Sequence, residues 1–210
     1  MKERPILFSA PMVRAILAGT KMQTRRVVKP QPPASTHQVE TWHHPDAKPR
    51  FFTWTTAGEI SDQWEPLPCP YGQPGDRLWV RETFRGCRAY EVQGYAPKDW
   101  GNKPIWFAAD GTPPGRPEQW ALRSRPSIHM PRWASRITLE VTDVRVERLQ
   151  DISEADAVAE GVKNSLHLPG GRFATENFAH LWWSINGDGS WEANPWVWVV
   201  EFKRIEGAPA

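Results

Sequence analysis

Residues 11–28 run Pro11-Met-Val-Arg-Ala-Ile-Leu-Ala-Gly-Thr-Lys-Met-Gln-Thr-Arg-Arg-Val-Val28, and the first half has the spacing of a short helix. Pro11 suits the first helical position, where its missing N–H would have had no partner anyway. Met12 with Ile16, and Val13 with Leu17, lie four apart and predict one apolar face. Gly19 falls where helices commonly end in a left-handed residue. From Gln23 to Val28 the β-branched Thr24, Val27 and Val28 predict a strand. Gly-Thr-Lys between the two is a tight turn, expected to hold Lys21 at the mouth of whatever the strand lines.

The charges in this stretch are unusual for a core strand. Lys21, Arg25, Arg26 and Lys29 fall within nine residues, with no acidic residue among them. One reading is a solvated edge strand, whose Lys and Arg deter mispairing. The other is a set of cations facing a site.

Around this stretch, 210 residues are enough for one domain with sizeable insertions and a real core. A net charge of +2 excludes a polycation, so nucleic-acid binding would have to come from local clusters. No apolar run approaches the roughly 20 residues of a membrane helix, and no membrane partner is expected. Met1-Lys-Glu-Arg-Pro5 has no signal-like apolar segment, so a cytoplasmic location is expected. Cys69 and Cys87 are the only cysteines and are expected to be reduced there. They form no C-x-x-C pair, and six scattered histidines show no ligand spacing, so neither a metal nor another cofactor is expected.

Thirteen tryptophans is a high number for this length. Trp182 and Trp183 fall on a helix pattern, while Trp196 and Trp198 share one face of a strand; both sets read as packing. Trp42, Trp54, Trp64, Trp100 and Trp106 lie in irregular segments, where they would pack a surface flap or line a base-binding cleft.

Along the chain, Ile6-Leu7-Phe8 predicts a short buried strand. Residues 29–74 are Pro-rich and read as an insertion, with Phe51 to Thr56 as a hairpin strand and Ala57-Gly58 as its turn. Pro74-Gly75-Asp76 is a turn leading into a strand from Arg77 to Phe84. A second insertion spans residues 85–132, within which Ile105 to Ala108 predicts a short strand. Arg123, Arg125, His129, Arg132 and Arg136 then come within fourteen residues, broken by Pro126, Pro131 and Trp133. That composition suits either a phosphate- or base-facing loop or a solvated, salt-bridged one. Ile137 to Leu149 alternates, with a change of register expected at Thr142-Asp143.

Asp151 to Glu160 predicts a helix, with Ser153 as N-cap, Asp156 three residues on and Gly161 as the stop. Glu160 breaks a local rule, because a carboxylate in the last turn faces the negative end of the helix dipole. Phe173 to Ile185 predicts a second helix with Phe178, Leu181, Trp182 and Ile185 inward, and Trp196 to Phe202 a closing strand. Residues 206–210 read as a frayed tail.

Gly19-x-Lys21-x-x-Thr24-x-Arg26 resembles the signature of the ASCH domain, a relative of the PUA domain built on a small β-barrel. Gly75 to Glu82 resembles the family's Gly-Asp strand, Asp151 to Gly161 the helix after its long central strand, and Trp196 to Arg204 its closing strand. Together they cover about half of the chain, and the pattern is most similar to the larger ASCH-like proteins of phages and prophages. The resemblance implies an α+β fold: a PUA-like small mixed β-barrel flanked by short helices, a single domain over residues 1–210 with Pro-rich insertions at 29–74 and 85–132.

In one branch of that family, the N4-acetylcytidine amidohydrolases, a lysine and a threonine of the signature act with a downstream glutamate. Carried over by position, these are Lys21, Thr24 and Glu160, and the family's arginine falls on Arg26. Arg25 stands where that branch has an apolar residue, and its members lack the insertions. Amide hydrolysis needs a nucleophile, a proton carrier and a cation or donor for the oxyanion. Thr24 would supply the hydroxyl or position water, Lys21 would activate it or hold the oxyanion, and Glu160 would shuttle the proton. Arg25, Arg26, Arg81, Arg123, Arg125, His129, Arg132 and Trp133 are the candidates for contacting a modified cytidine nucleoside or RNA. A non-catalytic RNA- or modified-base-binding module is the alternative, and ribonuclease action, without evident paired histidines, a further one.

Overall fold

The computed structural model describes residues 1–33, 36–42, 51–56, 68–89, 94, 96, 104–113, 115, 119–120, 123–165 and 172–205. The fold is mixed α+β. Among the described residues there are nine strands: β1 (Glu3–Leu7), β2 (Gln23–Val27), β3 (Thr36–Trp42), β4 (Phe51–Thr56), β5 (Arg77–Arg81), β6 (Phe84–Arg85), β7 (Trp106–Phe107), β8 (Thr138–Arg148) and β9 (Trp196–Arg204). The α-helices used below are α1 (Ala10–Leu17), α2 (Glu154–Ala159) and α3 (Ala174–Asn186). Five strands form one sheet in the order β1-β5-β8-β9-β2, so among the described residues the sheet has two open edges. β3 pairs with β4, and β6 with β7, as separate two-stranded ribbons.

The chain divides into two compact units. The first comprises residues 1–19, 76–140 and 203–210. Here β1 runs parallel to β5, with Ile6 opposite Val80, and β5 runs antiparallel to the start of β8. Ile6, Leu78, Val80, Ile137 and Leu139 are buried, as alternation and the apolar run predict. α1 starts at Ala10, with Pro11 in its first turn, and ends before Gly19 at φ +71°. Its buried residues are Val13 and Ile16, whereas Leu17 is exposed and not on the expected inward face. A core face needs only a stripe about 100° wide, and in eight residues Val13 and Ile16 define it.

The second unit comprises residues 20–75 and 141–202. β2 runs antiparallel to β9, with Thr24 opposite Val200 and Arg26 opposite Trp198. All five residues from Trp196 to Val200 are buried, so β9 is covered on both faces. Along β8, burial falls on Leu139 and Val141 and then on Val144, which is the expected change of phase around Thr142. Leu149, Ile152, Ala157, Ala174, Phe178, Trp182, Val197 and Val199 form the core of this unit. Trp182, Trp196 and Trp198 are packing residues as expected, but Trp183 and Ile185 are exposed on α3. One residue along a helix is a 100° turn, so Trp183 cannot share the stripe of Trp182.

The expected strand at Phe51 to Thr56 exists and pairs with β3 upstream, while the turn expected at Ala57-Gly58 lies outside the described residues. Trp64, Trp100 and the tail at 206–210 also lie outside them, as do the side chains of Trp42 and Trp54. Trp106 is buried, with Arg85 over its ring at 5.2 Å. Cys69 and Cys87 are not joined in a disulfide. Among the described residues, no helix is long and apolar enough to cross a membrane.

α2 is one and a half turns long, too short to persist on propensity alone. Its ends are held by named bonds. Ser153 Oγ accepts the N–H of Asp156 at 3.1 Å and donates to the Asp156 carboxylate at 2.7 Å. Glu154 reaches the start of α3 and accepts the N–H groups of Ala174 and Thr175, at 2.9 and 3.1 Å. Replacing an N-cap serine by alanine costs about 1 kcal/mol. Ser153→Ala is therefore expected to lower the unfolding free energy by that amount, read as a lower urea midpoint with no change in slope; an unchanged midpoint would remove Ser153 from the account of why α2 forms.

Candidate functional site

Lys21 and Glu160, 139 residues apart, form the centre of a buried polar cluster in the second unit. The stretch before β2 is pinned on both sides. Met22 N–H donates to the carbonyl of Ala159 and accepts from Phe202 N–H through its own carbonyl, both at 2.8 Å. Lys21 thereby faces Glu160 in an isolated antiparallel bridge. Its Nζ donates to the Glu160 backbone carbonyl at 2.8 Å and to Oε2 at 2.6 Å. Glu160 is the C-cap of α2, in αR geometry before Gly161 at φ +87°. The ammonium therefore satisfies an end carbonyl and neutralises the carboxylate that stood against the dipole. The local rule that Glu160 breaks in sequence is repaired from elsewhere in the chain.

Neither side chain meets water: Lys21 is 1% and Glu160 4% exposed. The solvated-edge reading therefore fails for Lys21, and it fails again for Arg25, whose side chain is 0% exposed. Gln23 and Arg25 take one face of β2, and Thr24 and Arg26 the other. Arg25 Nη2 donates to Glu147 Oε2 at 3.0 Å and lies 3.6 Å from Asp156 Oδ2, while Nη1 lies 3.6 Å from Glu160 Oε1. Its guanidinium sits over the Phe178 ring at 5.9 Å. Behind it, Arg145 bonds Glu147, Glu201 and Asp156, the last at 3.0 Å. Gln23 Nε2 donates to the Asp156 carbonyl at 3.1 Å. Arg26 and Tyr71 are the partly exposed members, and Thr24 is buried on the same strand.

The electrostatics follow from burial first. Burial pushes the Lys21 pKa below the ordinary lysine value, Glu160 pulls it back, and Arg26 and Arg25 lower it further. Burial likewise lowers Arg26, against the opposing pull of Tyr71 and Glu160. It raises the Tyr71 hydroxyl, which Arg26 lowers and Cys69 raises. For Asp156 burial acts upward, but the Ser153 hydroxyl, Arg25 and Arg145 outweigh it and hold the carboxyl below its usual range.

No family model, curated protein or solved structure matches this chain. The geometry is therefore the ground for function.

The remaining candidates belong to the first unit. Arg81 stacks over Trp79 at 4.6 Å, and Arg132 lies 5.9 Å from the same ring while bonding Glu3 at 3.1 Å. Arg123 and His129 are exposed, and Arg125 is half-buried with its backbone bridging Phe84. Trp133 packs against Phe84, Met130 and Ala134. Arg136 forks onto the buried Glu82 at 2.9 and 3.1 Å and onto Asp110 at 2.8 and 2.7 Å.

Of the three residues expected to be catalytic, Lys21 and Glu160 meet, with Arg25 beside them, whereas Thr24 is buried on the face of β2 opposite Arg25; Gln23, Tyr71, Arg145, Glu147 and the second role of Asp156 were missed. A signal for two of them exists. Arg145 and Glu147 are two apart on a strand and so share a face, the one opposite Val144 and Val146.

Removing one member of a buried ion pair leaves an uncompensated charge and costs about 3–5 kcal/mol. Glu160→Gln and Lys21→Met are each expected to destabilise by that order, and the double variant by less than their sum, in a urea double-mutant cycle. Additive losses would mean the pair is not coupled. A second expectation concerns acid. The Asp156 carboxyl is depressed in the folded state, so its stabilisation is complete above the unfolded value, about 3.9, and disappears as pH falls through the folded one. Asp156→Asn should flatten the acid limb of the urea midpoint between about pH 4 and 2; an unchanged limb would assign acid unfolding to other carboxylates.

Proposed function

We propose that this chain is an ASCH-like amidohydrolase that removes the acyl group from an N4-acylated cytosine nucleoside, on a sheet of the PUA-like kind. The observation that carries the reading is the buried contact of 2.6 Å between Lys21 Nζ and Glu160 Oε2. Two residues singled out by motif position meet, and they do so away from bulk water, where a cation and a proton carrier act most strongly on a developing charge.

Hydrolysis joins water to the acyl carbon, breaks the bond to the cytosine N4 and leaves a carboxylic acid and the free amine. In this reading Thr24 Oγ1 attacks, or positions the water that does. Glu160 takes the proton of the nucleophile and delivers it to the departing nitrogen, and the Lys21 ammonium opposes the charge on the carbonyl oxygen. Glu160 Oε2 is occupied by Lys21, so Oε1 is the oxygen left for proton transfer.

The RNA-binding alternative is less well supported by the first unit. Arg132 and Arg136 are spent on Glu3, Glu82 and Asp110, and the Trp79 ring is covered by Arg81 and Arg132. Those groups have partners of their own and offer a phosphate or base little.

Incubation with N4-acetylcytidine is expected to release cytidine, followed by absorbance. Lys21→Ala and Glu160→Gln should each lower kcat/KM by about 100-fold or more, the usual scale for a positioned proton-transfer group. Burial lowers the Lys21 pKa, so the basic limb of the pH profile should fall below the ordinary lysine range of about 10.4. Wild-type protein that leaves the nucleoside intact ends this proposal.

A further inference from the structure

α3 buries Ala174, Phe178 and Trp182 and turns its opposite side to solvent. At about 100° per residue, the pole facing away from Phe178 is shared by Phe173, Glu176, His180 and Trp183, each within about 40° of it. All four are exposed, Phe173 by 50% and Trp183 by 46%. Single apolar residues on a surface need no explanation, but these two share one stripe and stand about 15 Å apart along it. Phe173 also breaks a local rule. It is the N-cap of α3, a place that prefers a side-chain oxygen, and it makes no side-chain capping bond. Glu154 does that work instead, accepting the N–H groups of Ala174 and Thr175. Glu176 Oε2 accepts the Phe173 N–H at 3.0 Å and so fixes where the aromatic leaves the helix.

The order of the four residues is symmetric. Phe173 stands five residues before Phe178 and Trp183 five after it, while Glu176 stands two before and His180 two after. Two copies of α3 laid antiparallel about that centre set Phe173 against the partner's Trp183 and Glu176 against the partner's His180, each twice. Both pairings are complementary, aromatic with aromatic and carboxylate with imidazole. A two-fold contact has this property, since residue i meets j while j meets i. The steps of three, four and three residues are also those of a coiled-coil seam, which packs helices at a shallow angle of about 20°. We infer that α3 is the contact through which two copies of this chain associate as a symmetric dimer. A foreign partner would require neither the symmetric order nor both members of a charge pair within one stripe. The stripe lies on the far side of the helix from Phe178, whose ring faces Arg25, so the contact is independent of the hydrolase reading. One helix pair falls at the low end of specific interfaces, below about 1,200 Å², so the dimer is reversible, with a dissociation constant on the order of 10 μM.

The test is sedimentation velocity on the full chain from about 1 to 300 μM, a range over which wild type is expected to pass from monomer to dimer. Trp183→Glu changes a residue outside the core and should weaken association at least about 30-fold, because an aromatic anchor is lost at both ends. His180→Glu sets like charges opposite each other and should weaken it about 10-fold. His180→Lys keeps a cation facing Glu176 and should hold wild-type affinity within a few-fold. Glu176 and His180 also neighbour each other within one helix, but that acts on monomer stability, which urea midpoints report separately. A wild type that stays monomeric throughout, a dimer that persists unchanged in Trp183→Glu, or equal effects of His180→Glu and His180→Lys overturns the inference. If Trp183→Glu does not fold, the wild-type series and the two His180 variants decide.

Discussion

An ammonium group buried beside a helix end is the constraint from which the rest of the second unit follows. Taken out of water, Lys21 needs acceptors on every side it presents, and Glu160 supplies two of them, its carbonyl and its carboxylate. That demand fixes where α2 must stop, and why Met22 is clamped between Ala159 and Phe202. It also sets the charge balance nearby. Lys21, Arg25, Arg26 and Arg145 are answered by Glu147, Asp156, Glu160 and Glu201, so the cluster is dense but near neutral. A buried ion pair is weak evidence for stability, because a well-packed apolar pair of the same volume is often as good or better. The pair sits just before a strand backed by Val197, Val199 and Val200, so apolar burial alone does not account for it.

Much of this was legible in the sequence, and the misses have physical causes. α1, β2, β5, β9 and the Ser153 cap were readable because each rests on local rules: an apolar spacing, a β-branched run, a capping hydroxyl three residues before its target N–H. The inward faces of α1 and α3 were overdrawn at Leu17 and Ile185. Both residues sit in the last turn of their helices, where the stripe is no longer covered, and spacing alone does not say where a neighbour ends. In the site, the motif residues were legible only because a resemblance pointed at them; the spacing of Arg25 and Arg26 alone leaves a solvated edge and a site-facing pair equally open. The supporting set of Arg145, Glu147 and Gln23 carried no motif at all. Long-range charge pairing leaves no mark in one sequence except alternation on a strand.

The two carboxylate oxygens of Glu160 divide the work of the cluster. Oε2 belongs to Lys21 and keeps both side chains in place, while Oε1 forms a longer ion pair with Arg25 Nη1 at 3.6 Å. Groups held in this manner do not have to reorganise when charge develops near them, which is the main advantage a protein interior has over water. The holding is done from outside the pair. Asp156 is fixed by Ser153 and Arg145, Glu147 by Arg145, and Arg25 by Glu147, so the orientation of Nη1 is set by side chains that need never touch a ligand.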